Sequence, residues 1–410
     1  MIQYARRLLL FEKPGPIEWA LYFGVFAVLH IPGIINFYDN DGANNAYLRF
    51  SESLLQGHFT MPEMPAYDDM IFYQGQHYLP YPPFPSILLM PFVAVLGYKA
   101  VNTVVVALIL TCLNFFLFHR ILNKLKVEQK YFPWLIAAFF FGTGYWFALF
   151  TSHAVYSFAH ITSVTCQFLL INELLGKKRW WLAGIYIGCS FLTRQFTFLY
   201  IFLALGYFFY QYKQDKESVT WTQLFSMLAT AGFFVLLYFG YNYSRFGNPV
   251  DPGYAYILFN GVLRDRVNEY GVFSAKYFLF NFYSFFIKGF NIEFEGNGLM
   301  RIKDMDLWGT SLLAASPFFI ASVKARLPKI ISIGAWLTII GILTGTMFYH
   351  NNGYHQINAM RFALDFLPLL FVLTIVGLKA LPEWLFKGMV VYAVLLNVLG
   401  FCIHFLYQKN

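Results

Sequence analysis

The sequence predicts an all-α, polytopic membrane protein with about 11 transmembrane helices and interfacial helices in its outer loops. Three observations carry this. Of its 410 residues, 58% are hydrophobic and 12% charged, about half the charged content of a soluble domain. Many apolar runs reach the roughly 20 residues that cross a bilayer. The basic residues also sort to alternate connections, as the orientation bias of membrane proteins requires. The formal charge of +8 is therefore an orientation signal, and no nucleic-acid partner is expected.

The apolar runs place spans at 17–37, 98–119, 132–150, 154–174, 180–194, 196–212, 221–243, 309–323, 329–349, 361–380 and 388–407. With the N-terminus inside, more than half of the 29 basic residues but only a third of the 21 acidic ones fall on the inner side. That asymmetry favours N-in, C-out. Lys177-Lys178-Arg179 and Lys213 flank the long run Trp180–Tyr212, so Arg194-Gln195 within it becomes the outer tip of a hairpin of two short spans. Cys112, Cys166, Cys189 and Cys402 all lie in apolar runs, with no spacing that suggests a metal or disulfide framework. Leu8–Phe11 is too short for a signal-peptide core, so the first span is expected to be retained.

Three polar intervals fall outside: 38–97, 244–308 and 350–360. The chain reads as a single membrane domain, 1–410, with these as its outer loops. In the first, Ala43, Ala46, Tyr47, Phe50 and Leu54 share one helical face, opposite Arg49, Glu52 and Gln56, which predicts a helix lying in the interface. Ile87–Leu96 is apolar but too short to span. In the second, Ser274, Asn281 and Lys288 recur every seven residues as a polar stripe on a Phe-rich helix, read as interfacial rather than spanning.

The candidate chemistry clusters on the outer side. Asp39 and Asp41 stand where the first span ends. A carboxylate there can act as a general base or hold a divalent cation; Asp41 can equally be the N-cap of the next helix. Tyr81-Pro82-Pro83-Phe84-Pro85 reads as a helix start with proline in its first turn. Arg194, a guanidinium at an outer tip, suits an anionic head group, with snorkelling as the simpler role. Arg361 and Asp365 are spaced i, i+4, as an ion pair or as site residues. Arg245 and Arg301 belong to the same outer set. The histidines have no chelating spacing: His153 and His160 are i, i+7, and His350 and His355 lie in a Gly/Asn loop.

These residues are similar to those of a known family. Asp41-Gly42, Tyr47-Leu48 and Ser51-Glu52-Ser53-Leu54-Leu55-Gln56-Gly57 resemble the acidic corner and interfacial helix of the GT-C superfamily of polyprenyl-phosphate-sugar glycosyltransferases. Gly75–Pro85 running into Met90-Pro91-Phe92 is similar to its Pro-rich element, Ala183-Gly184 through Phe191-Leu192-Thr193-Arg194 to its hairpin, and Arg361–Pro368 to the motif before a late span. The chain most resembles the bacterial protein-mannosyltransferase and aminoarabinose-transferase group, glycosyltransferase family 39-like. The four anchors follow the family's order over most of the chain.

The resemblance implies a fold, a reaction and roles. The fold is GT-C-like. The reaction is inverting transfer of a sugar from a polyprenyl-phosphate donor to a glycan, lipid or protein acceptor, at the outer face of a bacterial inner membrane. Asp41 or Asp39 is the expected base. Arg194 and Arg361 are the implied donor-phosphate candidates, joined by Arg245 and Arg301 from their place in the outer charged set alone, with Tyr81 at the place where aminoarabinose transferases carry lysine. The second acidic residue of the family is missing from Thr151–Tyr156, leaving His153 or Tyr156 as stand-ins; His350 and Tyr354 are further sugar or acceptor contacts. No cofactor is required, although Asp39-Asn40-Asp41 keeps a divalent cation, Mg²⁺ or Mn²⁺, open. A lipid-linked-sugar transporter is the rival, but it calls for broken helices in two related halves, and no internal repeat is visible.

Overall fold

The computed structural model describes residues 24, 26, 28–39, 45–62, 70–306, 308–353 and 356–407. Its helices, in chain order, are α1 (Ile31–Asp39), α2 (Ala46–Leu55), α3 (Phe84–Leu96), α4 (Thr103–Lys124), α5 (Phe132–Phe140), α6 (Gly144–Phe150), α7 (Val155–Leu174), α8 (Trp180–Phe191), α9 (Tyr200–Gln214) and α10 (Trp221–Phe246). They continue as α11 (Gly261–Tyr270), α12 (Phe278–Phe282), α13 (Leu312–Ala315), α14 (Lys329–Met347), α15 (Leu367–Gly377) and α16 (Glu383–Tyr407). Among the described residues four are long and apolar enough to cross a membrane: α4, α10, α14 and most of α16. Counting α5 and α6, bent by 57° at their junction, as one broken span makes five.

The expected span 17–37 lies only partly within the described residues; the remaining expected spans are shorter, broken or polar. The run at 309–323 divides into a strand, the four-residue α13 and a 3-10 helix, Pro317–Lys324. The 361–380 run begins as a 3-10 helix, Arg361–Asp365, before the 11-residue α15. α7 has 20 residues but buries Ser157, His160, Ser163, Gln167, Asn172 and Glu173 along with its apolar side chains. Enclosed by protein on nearly every side, it needs no lipid-compatible face, and its polar groups find partners: Gln167 accepts from the Tyr200 hydroxyl at 2.8 Å, and Asn172 donates to the Leu117 carbonyl at 2.9 Å.

The 38–97 interval holds more than an interfacial helix. α2 starts at Ala46, capped by Asn45, whose side chain accepts from the Tyr47 and Leu48 amides. Asp41 therefore does not cap it. Tyr47, Phe50 and Ala46 are fully buried, and Ser51 Oγ lies 2.6 Å from the Tyr47 carbonyl and 2.8 Å from that of Ser86, tying α2 to α3. Between them β1 (Thr60–Met61), β2 (Ile71–Tyr73) and β3 (Gln76–Tyr78) form a small antiparallel sheet in the order β1-β3-β2. Gln74 and Gly75 join β2 to β3 with φ of 49° and 76°, the positive pair that a tight two-residue hairpin turn demands.

The Trp180–Tyr212 run is broken at Arg194 as its charge indicated: α8 ends, Arg194 is extended, and a 3-10 helix, Gln195–Leu199, leads into α9. α8 lies against α10 so closely that a Cβ on Gly184 would sit 2.3 Å from the Met227 carbonyl oxygen. Gly184→Ala is expected to cost about 1–3 kcal/mol through forced separation of these helices. Gly232→Ala, on α10 with nothing within 4 Å, is the control. Melting temperatures in detergent check this, and equal values for the two variants would contradict the packing.

The stripe Ser274, Asn281, Lys288 turns inward. Asn281 is fully buried and donates to the carbonyls of Met347 (3.0 Å) and Tyr349 (2.8 Å). Lys288 pairs with Asp306 at 2.6 Å. The exposed side of this segment is Leu279, Tyr283, Phe286 and Ile287, the reverse of a water-facing helix and the pattern of one that meets lipid. β4 (Ile292–Glu295) and β5 (Arg301–Met305) form an antiparallel hairpin beyond it, and β6 (Trp308–Thr310) pairs in parallel with β7 (Gln356–Ala359).

Candidate active site

The Pro-rich exit, the hairpin break and the late motif meet around one cavity of about 800 Å³. Chain order does not suggest this meeting; a hydrogen bond shows it. The Phe84 amide that opens α3 donates to the Leu192 carbonyl at the end of α8, at 2.9 Å. Pro83 and Pro85 fix the first turn of α3, so Pro80-Tyr81-Pro82 is held against the cavity as one wall. Thr193 and Arg194 lie beside it, and the Arg361–Asp365 turn and α7, through Tyr156 and Ala159, close the far side.

Arg194 does not project alone. Its Nε lies 3.1 Å from each oxygen of Asp365 and its Nη2 2.9 Å from Oδ2, a fork-on-carboxylate pair. His160 Nδ1 stands 3.3 Å from Asp365 Oδ1 on the other side, with both residues buried. The expected i, i+4 partnership of Arg361 and Asp365 is thus replaced: one turn of 3-10 helix rotates their side chains apart, and the carboxylate goes to Arg194. Arg361 instead lays its guanidinium carbon 4.2 Å over the Tyr156 ring. Both arginines line the cavity.

A neutral polar wall faces them. Gln195 Nε2 donates to the Tyr238 hydroxyl at 2.6 Å, and its Oε1 accepts from the Tyr254 hydroxyl at 3.4 Å. Asn242 joins from the same face of α10. Aromatic and aliphatic side chains, Phe191, Phe198, Val235 and Phe239 among them, fill the rest of the lining. Burial pushes His350, at the cavity edge, down to about 4, so it is neutral at pH 7 and adds a hydrogen-bonding group but no charge. The cavity can therefore take a small anionic centre between two guanidinium groups, with an apolar chain along its walls.

Several sequence candidates fall elsewhere. Arg301 is highly exposed on β5 and pairs with Glu295 across the hairpin, at 2.5 Å; it does not line the cavity. Arg301→Ala is expected to change stability by no more than about 0.5 kcal/mol, as surface substitutions do; a clear fall in melting temperature in detergent would contradict this exposed placement. Arg245 is buried and braces the wall from behind: it donates to the Leu79 carbonyl at 2.8 Å and to Asn242 Oδ1 at 2.7 Å, over the Tyr241 ring. His153 is absent from the lining, and its carbonyl accepts from Asn45 at 2.8 Å. Asp41 and Tyr354, and the side chain of Asp39, lie outside the described residues. Among the described residues no three His, Cys, Asp or Glu gather as a metal site.

Sequence reasoning missed Gln195, Tyr238, Tyr254 and Asn242 as lining residues. Tyr238 and Asn242, i and i+4 within an apolar helix, were the available signal, since polar groups in a span usually face a cavity.

The sequence matches no protein-family model and no curated protein. Among solved structures it is similar to the crystal structure of ArnT from Cupriavidus metallidurans bound to undecaprenyl phosphate, with a TM-score of 0.51 and 13% identity. The match covers 92% of this chain and 63% of that one, so the chain spans under two thirds of that protein's length. Likeness at this identity is a likeness of fold: the chain shares the fold of that protein over most of its own length.

Proposed function

We propose that the protein is an inverting membrane glycosyltransferase that moves a sugar from a polyprenyl-phosphate donor to a glycan, lipid or protein acceptor on the outer face of the membrane. The observation that carries the reading is the single cavity in which three motifs distant in sequence place Tyr81, Arg194 and Arg361 against apolar walls. The charge supports it as well. In the described lining, Arg194 and Arg361 against Asp365, with His350 neutral, leave one net positive charge, which complements the single negative charge of a sugar phosphodiester. ArnT, with a similar fold, is bound to undecaprenyl phosphate.

In the proposed reaction the acceptor hydroxyl gives its proton to Asp41 as its oxygen attacks C1 of the sugar. The bond from C1 to the phosphate oxygen breaks, and its electron pair leaves with the polyprenyl phosphate. Arg194 and Arg361 meet the charge that grows on that leaving group, which is where preorganised donors lower a barrier most. Tyr81, half-buried in the lining, offers a flat surface to the sugar, with the buried Tyr47 ring behind it at a centroid distance of 6.0 Å. Asp41 precedes Asn45 by four residues, a chain length of at most about 14 Å.

The test is a transfer assay with the purified full chain, a panel of polyprenyl-phosphate sugars and envelope extract as acceptor. Donor consumption should match release of polyprenyl phosphate, and the product should carry the inverted anomeric configuration. Donors that all stay intact, under conditions where the protein binds undecaprenyl phosphate, would leave a lipid-binding scaffold instead.

A further inference from the structure

Arg194 is already occupied. Both of its bonded nitrogens, Nε and Nη2, go to Asp365, and no other hydrogen bond engages its side chain among the described residues. Asp365 is 1% exposed and is the only carboxylate of the described lining. His160, wholly buried, stands 3.3 Å behind it, and Phe362 lies under the Arg194 guanidinium at 4.8 Å. The carboxylate is thus fixed from two sides at the edge of the cavity, with both oxygens spoken for. That geometry suits a counter-ion and not a proton acceptor.

The charge change in transfer gives this a consequence. A sugar phosphodiester carries one negative charge. The phosphate left after transfer is a monoester, whose second ionisation lies near pH 6, so at neutral pH it carries nearly two. Two guanidinium groups in a partly desolvated cavity would hold that product more tightly than the donor, and slow product departure limits many enzymes.

We propose that Asp365 is a resident counter-ion that competes with the lipid phosphate for Arg194 and so sets how fast that phosphate leaves. The inference rests on the donor class proposed above. Asp365 acts through Arg194: it satisfies the guanidinium while the cavity is empty and reclaims it as the product departs. An orienting role alone predicts the opposite sign, because a loosened Arg194 would bind phosphate less well.

The experiment measures equilibrium binding and dissociation of undecaprenyl phosphate with the full chain in detergent. Asp365→Asn should bind about tenfold more tightly and release correspondingly more slowly, as loss of a nearby like charge requires. Asp365→Ser provides a second neutral side chain in case the amide disturbs folding. The tightening should vanish in Asp365→Asn/Arg194→Gln. Unchanged or weaker binding by both single variants overturns the proposal, and so does tightening that persists in the double variant. An unmodified protein that binds no undecaprenyl phosphate takes down the donor reading, and this inference with it.

Discussion

Asp41→Asn should abolish sugar transfer, by about three orders of magnitude, while leaving the binding of undecaprenyl phosphate unchanged. The substitution keeps shape and removes only the ability to take a proton. A positioned general base contributes roughly 10²–10⁴-fold, and an alcohol nucleophile without one stays protonated at neutral pH. The structural role that competed for this residue is filled by another: Asn45 caps α2, accepting from the Tyr47 and Leu48 amides, which leaves no capping task to explain a loss of activity. Asp39→Asn is the paired measurement. If Asp39 is the base, the two results exchange. If the two carboxylates hold Mg²⁺ or Mn²⁺ together, both variants lose activity, and a chelator silences the unmodified protein. Asp41→Asn transferring sugar at the unmodified rate, with Asp39→Asn doing the same, would remove the Asp39-Asn40-Asp41 corner from the mechanism.

What the sequence made legible followed from local rules. Arg194 marked the break between α8 and α9 because a guanidinium is unwelcome at mid-membrane depth. Pro83 and Pro85 marked the start of α3 because proline needs no amide donor there. Partnerships were not legible, since they depend on which turns meet. Arg361 and Asp365 are four apart, but the segment between them is a 3-10 helix, with three residues per turn in place of 3.6. That difference of register sends Asp365 to Arg194, 171 positions away. The β2–β3 hairpin shows a signal of the same local kind: Ile71, Tyr73, Gln76 and Tyr78 flank Gln74-Gly75, the turn chemistry of a two-residue hairpin. Arg301 shows the converse error. Its charge and loop matched the other arginines, but an exposed hairpin satisfied it with Glu295.

Arg361→Gln and Arg194→Gln should each lower kcat/KM for transfer by about 10²–10³-fold, the usual loss when one preorganised donor to a developing negative charge is removed, but they should differ in stability. Arg361 lies on the Tyr156 ring and over Phe362, and the neutral glutamine can occupy that aromatic surface. Arg194→Gln leaves Asp365, 1% exposed, without its cation. Removing one partner of a buried pair costs about 3–5 kcal/mol, so its melting temperature in detergent should fall well below that of Arg361→Gln. Adding Asp365→Asn removes the orphaned charge and should recover most of the loss, while activity stays low because the guanidinium is still missing. Stability and activity would then separate along the two halves of one ion pair. A double variant no more stable than Arg194→Gln would mean that the Asp365 carboxylate is not held chiefly by Arg194. Full activity in either arginine variant would mean that the phosphate binds elsewhere in the cavity.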